Sequence, residues 1–468
     1  MKRKSFFAPR HASPIVGLMY AGLLALSTLR GYFHLVELPW YATQLAYAAI
    51  IALSAAWVFY SGEMRRLYIC SHVTLLQMLP NLTILLWSMG LWIVRQEPLS
   101  LIRRGSSMVL YQMLLFVMLM AAAIMFGERA VEYTSLGFIM ANGLILLDVM
   151  RRNGVGTTLS GITTFLVSVG AHDNAISIQL EVQDLTFGIA ILLLYYLAFG
   201  QNEPRRLAHI VALSFFFLLG FKRILFPAMA AGGAYLLLVQ RLSPKWQRSV
   251  TAAIGIMITA VSLLYVALIR MGVWTELCKQ FGIDLMGRDR LYGHMKAYYD
   301  ISPTYMGMGS GMVSKVLEAV EKTGNRRLHS DVLRLYIELG MPVFLFWYFL
   351  TFLYTYFRLE KRHSLLVAQA YMAMTLLMFV TFLTDNTLEK YCPEIAWHLL
   401  PLTLALREKK QNAPAGGFLQ ARERNAVWTK ESKIFLTPTP GANLLKQTEE
   451  TPAEALRRFR LERRKSRP

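Results

Sequence analysis

Met108-Val-Leu-Tyr-Gln-Met-Leu-Leu-Phe-Val-Met-Leu-Met-Ala-Ala-Ala-Ile-Met-Phe126 contains no charged residue. As a helix rising about 1.5 Å per residue, this run is close to the roughly 30 Å hydrocarbon core of a bilayer. Similar runs lie on both sides of it. Before it come about Ile15–Leu29, Leu38–Tyr60 and Leu67–Val94. After it come about Tyr133–Met150, Leu185–Gly200, Leu207–Phe221, Ile224–Val239, Val250–Ile269, Leu339–Phe357, Leu365–Leu383 and Tyr391–Leu406. Val155–Gly170 is weaker and rich in Thr, Ser and Gly; it reads as a short span, a re-entrant segment or a surface helix. The pattern predicts an all-α, polytopic transmembrane bundle of about twelve spans.

Composition agrees. The chain is 55% hydrophobic and 17% charged, against about 25% charged in a soluble domain. The net charge of +20 sits in short basic clusters between apolar runs. Positive-inside topology and an anionic lipid surface account for it without nucleic acid as a partner. Lys2, Arg3, Lys4 and Arg10 precede the first apolar run, which lacks a small-residue cleavage site and reads as a retained helix with a cytoplasmic amino terminus. Cys70, Cys278 and Cys392 show no metal-binding spacing; they read as unpaired apolar residues, with a Cys278–Cys392 disulfide as the alternative.

The chain divides into amino-terminal spans (1–270), a large polar loop (271–337), carboxyl-terminal spans (338–406) and a basic tail (407–468) that reads as disordered and cytoplasmic. Counting back from that tail puts Arg358–Arg362 and Arg241–Arg248 inside and the large loop outside. Arg65-Arg66, Arg95 with Arg103-Arg104, and Arg151-Arg152 cannot all be cytoplasmic under simple alternation; whether Val155–Gly170 crosses decides the parity.

Three polar features stand out. Lys222-Arg223 lies between apolar segments, where cations are costly and anions such as phosphates are their natural partners; the structural alternative is a tight basic turn. Gly287-Arg288-Asp289-Arg290-Leu291-Tyr292 offers guanidinium groups suited to bidentate phosphate binding, or a local Arg–Asp pair in a solvated loop. Leu328-His329-Ser330-Asp331 reads as a helix start, with Ser330 as cap and Asp331 in the first turn. His329 would stand at the mouth of that helix, as a proton acceptor or as a structural side chain. Asp148, Glu181 and Asp184 read as connecting-loop residues or as the lining of an external vestibule. Trp40, Trp87, Trp92 and Trp397 read as interfacial anchors.

In order, the chain shows a basic pair, Gly287-Arg288 with Tyr292, Pro303, Gly307-Met-Gly309, His329, and Glu338-Leu-Gly340. This order resembles the O-antigen ligase and O-antigen polymerase superfamily of bacterial surface-glycan enzymes. Thr384-Asp385-Asn386-Thr387 also looks like the family's pattern. Ser330-Asp331 stands where Asn commonly follows the His. The likeness is carried by the carboxyl half; the first part of the chain shares only hydropathy.

The resemblance implies a partly helical extracytoplasmic loop over a lipid-facing cavity in the bacterial cytoplasmic membrane. It implies metal-independent glycan transfer from a polyprenyl-diphosphate-linked oligosaccharide, with other polysaccharide-assembly proteins as partners and no cofactor. His329 becomes the candidate base, and Arg288 and Arg223 the cations that stabilise the leaving diphosphate. Lys222, Arg290, Asp331 and Tyr292 become candidate binding residues. Polymerase and ligase both fit, with polymerase preferred because no feature specifies a separate acceptor. A lipid-linked oligosaccharide flippase is the competing class, though the chain shows no internal repeat.

Overall fold

The computed structural model describes residues 12–29, 32, 41–167, 179–201, 203, 205–220, 222–283, 285–320 and 327–411. Among them the regular structure is helical and no strand occurs. In chain order the helices are α1 (Pro14–Leu29), α2 (Ala42–Ser61), α3 (Met64–Val94), α4 (Leu99–Phe126), α5 (Ala130–Asn153), α6 (Val155–Val167), α7 (Gln183–Ala198), α8 (Arg206–Gly220), α9 (Leu225–Gln240) and α10 (Pro244–Met271). Short helices α11 (Val273–Gln280), α12 (Arg288–Met295) and α13 (Met312–Val320) follow. Then come α14 (Asp331–Tyr348), a π-helical stretch over Phe349–Tyr354, α15 (Thr355–Arg362), α16 (Leu365–Phe382) and α17 (Tyr391–Gln411).

Six helical runs are long and apolar enough to cross a membrane by length and composition; α1, α8 and α9 are shorter apolar helices, as is Asp184–Ala198 of α7. Outward positions such as Leu53, Leu86, Val211, Leu237, Met257 and Leu264 are 52% to 62% exposed. Apolar exposure on that scale suits a lipid surround. The first apolar run forms the helix α1. The expected tail lies outside the described residues from 412 on.

The helix ends sort into two groups. At the end carrying the short helices, Arg95 donates to the Gly307 carbonyl (2.7 Å) and Trp87 to the Met306 carbonyl (3.0 Å). Arg270 donates to the Tyr299 carbonyl (3.1 Å). At the opposite end, Arg248 pairs with Glu360 (2.6 Å), His72 bonds His363 (3.1 Å), Arg66 reaches the Ile124 carbonyl (3.1 Å) and Arg407 the Phe199 carbonyl (3.1 Å). Arg248 and Glu360 therefore lie at one end and the 271–330 segment at the other, as the count from the carboxyl side requires.

The basic clusters of the amino-terminal half divide between these ends. Arg66 lies at the far end. Arg95 binds Gly307, and Arg104 binds Glu318 at 2.6 Å at the loop end. Arg151 and Arg152 pair with buried Asp148 (3.0 and 2.8 Å), and Arg152 also reaches Tyr32 (2.5 Å). The loop-end arginines thus serve internal partners. Asn153 at the end of α5 donates to Gln179 just before α7 (2.8 Å). Asn153 and Gln179 therefore stand at the same end of the bundle.

One expectation needs correction. Trp92 and Trp397 are 1% and 3% exposed, so they are packing residues and not interfacial anchors. Trp397 donates to Thr375 (3.0 Å), and Trp92 lies against Gly105 and Gly309. All three cysteines are buried and unpaired.

Candidate functional site

α14 begins as its sequence dictates. Ser330 is extended and its hydroxyl accepts from the Leu333 amide (3.3 Å), capping the first turn. Asp331, Arg334 and Glu338 follow at helical spacing, so all three fall on one face. Each is at least 95% buried. Arg334 reaches Asp331 (2.8 Å), Glu389 (3.2 Å) and Glu338 (3.9 Å). One guanidinium thus holds three carboxylates in the interior, the kind of pairing a buried charge requires.

Glu338 also organises the glycine-rich segment. Its carboxylate accepts from the amides of Gly311 (2.8 Å) and Val313 (3.4 Å), at the start of α13. The Met308 and Gly309 amides donate to the carbonyls of Ile337 and Glu338 (3.0 and 2.8 Å). Gly340 breaks the helix with φ 73° and ψ 168°. There the chains meet backbone to backbone. A Cβ on Gly340 would stand 2.3 Å from the Tyr305 carbonyl oxygen, and one on Gly307 would stand 2.4 Å from the Gly340 nitrogen. The Gly-x-Gly and Glu-x-Gly motifs are two halves of one joint.

Asp331 turns the other way, to the connection between α16 and α17. It accepts from the Leu388 amide (2.8 Å) and the Thr387 hydroxyl (3.4 Å), while its own amide donates to the Asp385 carbonyl (3.2 Å). Tyr265 donates to the Leu383 carbonyl (2.8 Å), and Gln112 donates to that of Leu388. The connection from Leu383 to Lys390 is therefore held from α4, α10, α14 and α16.

On this rigid turn sits a charged cluster. Lys390, 2% exposed, donates to Asp385 (3.0 Å) and lies 4.5 Å from the centre of the Phe187 ring. Lys222 reaches Asp385 (3.8 Å) and Glu181 (2.7 Å). Burial alone would raise the Asp385 carboxyl, but Lys390 and Lys222 outweigh it and hold it below the usual carboxylate range. Asn386 beside it is 1% exposed, and neither atom of its amide has a hydrogen-bond partner among the described residues. An unsatisfied buried amide calls for a further polar group, from water or a ligand.

His329 stands over this cluster. It is half-buried with φ 56°, in the left-handed region where non-glycine residues are uncommon and often functional. Burial lowers its imidazole below the ordinary value; Asp385 opposes this, and Arg288, Lys390 and Arg327 reinforce it. A neutral imidazole among fixed cations can accept a proton from a hydroxyl while the cations take up charge on an anionic leaving group.

Of the residues singled out in the sequence, His329, Arg288 and Lys222 share this neighbourhood through Asp385 and Lys390. Arg223 and Arg290 are exposed. Tyr292 is 2% exposed, its hydroxyl 3.4 Å from that of Tyr265, so it packs the loop and presents no ring surface to a sugar. Asp331 is fully buried and organises backbone. Tyr299 and Tyr305 pack against Tyr336. Lys390, Arg334 and Glu389 escaped the sequence reading. The available signal was the charge density of Asp385–Lys390 between two apolar helices. Among the described residues no group of three or more His, Cys, Asp or Glu side chains gathers as a metal site.

A scan against protein-family models finds no match to this chain, and a search of curated proteins finds none either.

Proposed function

We propose that this chain is a bacterial inner-membrane glycosyltransferase that polymerises oligosaccharide repeat units carried on a polyprenyl diphosphate. The observation that carries the reading is His329, held in a left-handed conformation among Arg288, Lys390 and Asp385. In a bilayer, the alternation of helix ends gives about twelve crossings, with the first and last helices beginning and ending on the cytoplasmic side. The 285–334 segment then faces the outside.

The reaction forms a bond between an acceptor sugar hydroxyl and the anomeric carbon of the donor. The bond from that carbon to the diphosphate oxygen breaks. The hydroxyl proton passes to the His329 imidazole, and the polyprenyl diphosphate leaves as an anion stabilised by Arg288, Lys222 and Lys390. Asn386 supplies an amide donor and acceptor for a sugar hydroxyl or a phosphate oxygen. Arg223 and Arg290, both exposed, contribute positive potential at the entrance.

The test is the length distribution of surface glycan in cells carrying wild type, Arg288→Ala or His329→Ala at matched membrane levels. The expected result is loss of long chains, with single repeats still delivered outside. Full-length chains stranded on the polyprenyl carrier would indicate ligation to a different acceptor. Repeats trapped on the cytoplasmic leaflet would point to a flippase. Unchanged glycan in both variants would sink the assignment.

A further inference from the structure

At the end of the bundle away from His329, α1, α5 and α8 enclose a groove of about 570 Å³, within the range of small-molecule sites. Its wall is apolar: Leu18 from α1, Tyr133, Leu136 and Ile139 from α5, and alanines of α8. Its mouth is not. Arg129 and Arg205 both line it, against one carboxylate, Glu132. The lining also includes Pro14, Arg129 and Arg205, which stand at or just before the first residues of α1, α5 and α8. The beginnings of three helices therefore meet at the mouth, and their positive dipole ends favour an anion.

His209 of α8 also lines the groove; it is 92% buried (8% exposed), with its ring stacked 4.9 Å from that of Tyr196, so packing fixes the wall beside the arginines.

We infer that this groove binds one anionic glycerophospholipid with a hydroxylated headgroup, of the phosphatidylglycerol type. Arg129, Arg205 and the three helix ends hold the phosphodiester. Glu132 takes a headgroup hydroxyl, whose hydrogen a carboxylate accepts. An acyl chain lies along Leu18, Leu136 and Ile139; Ile139 is ten residues beyond Arg129, about 15 Å along the helix. This chemistry separates the occupant from free phosphate, which has no use for the apolar wall, and from phosphatidylcholine, whose quaternary headgroup can donate no hydrogen bond. The inference rests on the membrane reading alone and not on glycan transfer.

The test is native mass spectrometry of the full chain extracted from bilayers of equal phosphatidylglycerol and phosphatidylcholine. Wild type is expected to retain one phosphatidylglycerol in preference to phosphatidylcholine. Arg129→Gln with Arg205→Gln lowers that retention about tenfold, and the double Lys variant restores most of it. Both arginines are exposed, so the melting temperature checks that the fold is kept. Leu136→Trp fills the wall and removes the lipid while leaving both arginines in place. Equal retention in wild type and the double Gln variant overturns the inference. So does displacement of the lipid by millimolar inorganic phosphate, or retention undiminished by Leu136→Trp, since either reduces the groove to an anion site.

Discussion

The glycine joint and the His329 cluster lie within one short stretch of sequence and use charge in opposite ways. At the joint, Arg334 stands against Asp331, Glu338 and Glu389, and the carboxylates spend their remaining lone pairs on backbone amides. At the cluster, Lys222, Lys390 and Arg288 gather around Asp385 and His329, and the Asn386 amide stays unpartnered. In the first arrangement the carboxylates already have partners among the described residues, while the Arg334 Nε has no hydrogen bond there. In the second the unpartnered group is the neutral Asn386 amide, in the turn that carries Asp385 and Lys390. Both contain residues that a motif reading would call important, and the proposed chemistry belongs to the second.

The sharpest way to break this distinction is at Gly340. An Ala there must hold φ near 73° and place its Cβ 2.3 Å from the Tyr305 oxygen and from the Met306 carbonyl carbon. Left-handed strain and overpacking each cost about 1–3 kcal/mol, so Gly340→Ala is expected to destabilise by up to about 6 kcal/mol. Thermal melts of the detergent-solubilised protein check it. A variant that melts like wild type would show that the two backbones are not in contact.

Arg334→Met comes next. It removes the one cation shared by three carboxylates and leaves the buried ones uncompensated, at about 3–5 kcal/mol. Because Asp331 holds the 387–388 backbone, loss of stability and loss of transfer should appear together. Replacing Asp331 and Arg334 together should cost less than the sum of the two single changes, which a double-mutant cycle measures.

How legible was this from sequence? The helices were, because apolar runs of membrane-spanning length have few other readings. Ser330 as cap and Asp331 in the first turn were also legible, being local. The roles of Arg95, Arg104 and Arg151 were not. Their charge reads as a topological signal, and only long-range contact shows that Gly307, Glu318 and Asp148 absorb it. Lys390 was missed for the same reason. Its partner Asp385 is a neighbour in the same turn, but Phe187 meets it only through the packing of α7 on α17, which no local pattern encodes. For Tyr292 the sequence left sugar stacking and loop-core packing equally open, and the burial of its ring beside Tyr265 is the packing arrangement.

On the cluster side the sharper test is pH. Burial, with Arg288, Lys390 and Arg327 behind it, keeps the His329 imidazole below the ordinary value of about 6.5 despite the pull of Asp385. A base must be neutral to act, so transfer should persist at and below that pH and fall as pH drops through the lowered value. Arg288→Gln removes one lowering charge and is expected to move the acid limb upward, with slower transfer and an unchanged melting temperature. An acid limb at the same pH in both proteins would separate Arg288 from His329.

The smallest expected effect belongs to Tyr292→Phe. The Tyr292 hydroxyl is 3.4 Å from that of Tyr265, whose stronger bond goes to the Leu383 carbonyl at 2.8 Å. Removing the Tyr292 oxygen keeps the buried ring and leaves the Tyr265–Leu383 bond intact, so stability should change by less than about 1 kcal/mol. Transfer should stay near the wild-type rate, because the ring is 2% exposed and packed inside the loop. A large loss of transfer with an unchanged melt would mean that the loop opens and turns Tyr292 outward during turnover. Tyr292 would then join the second side of the comparison, and α12 would be a moving part of the site.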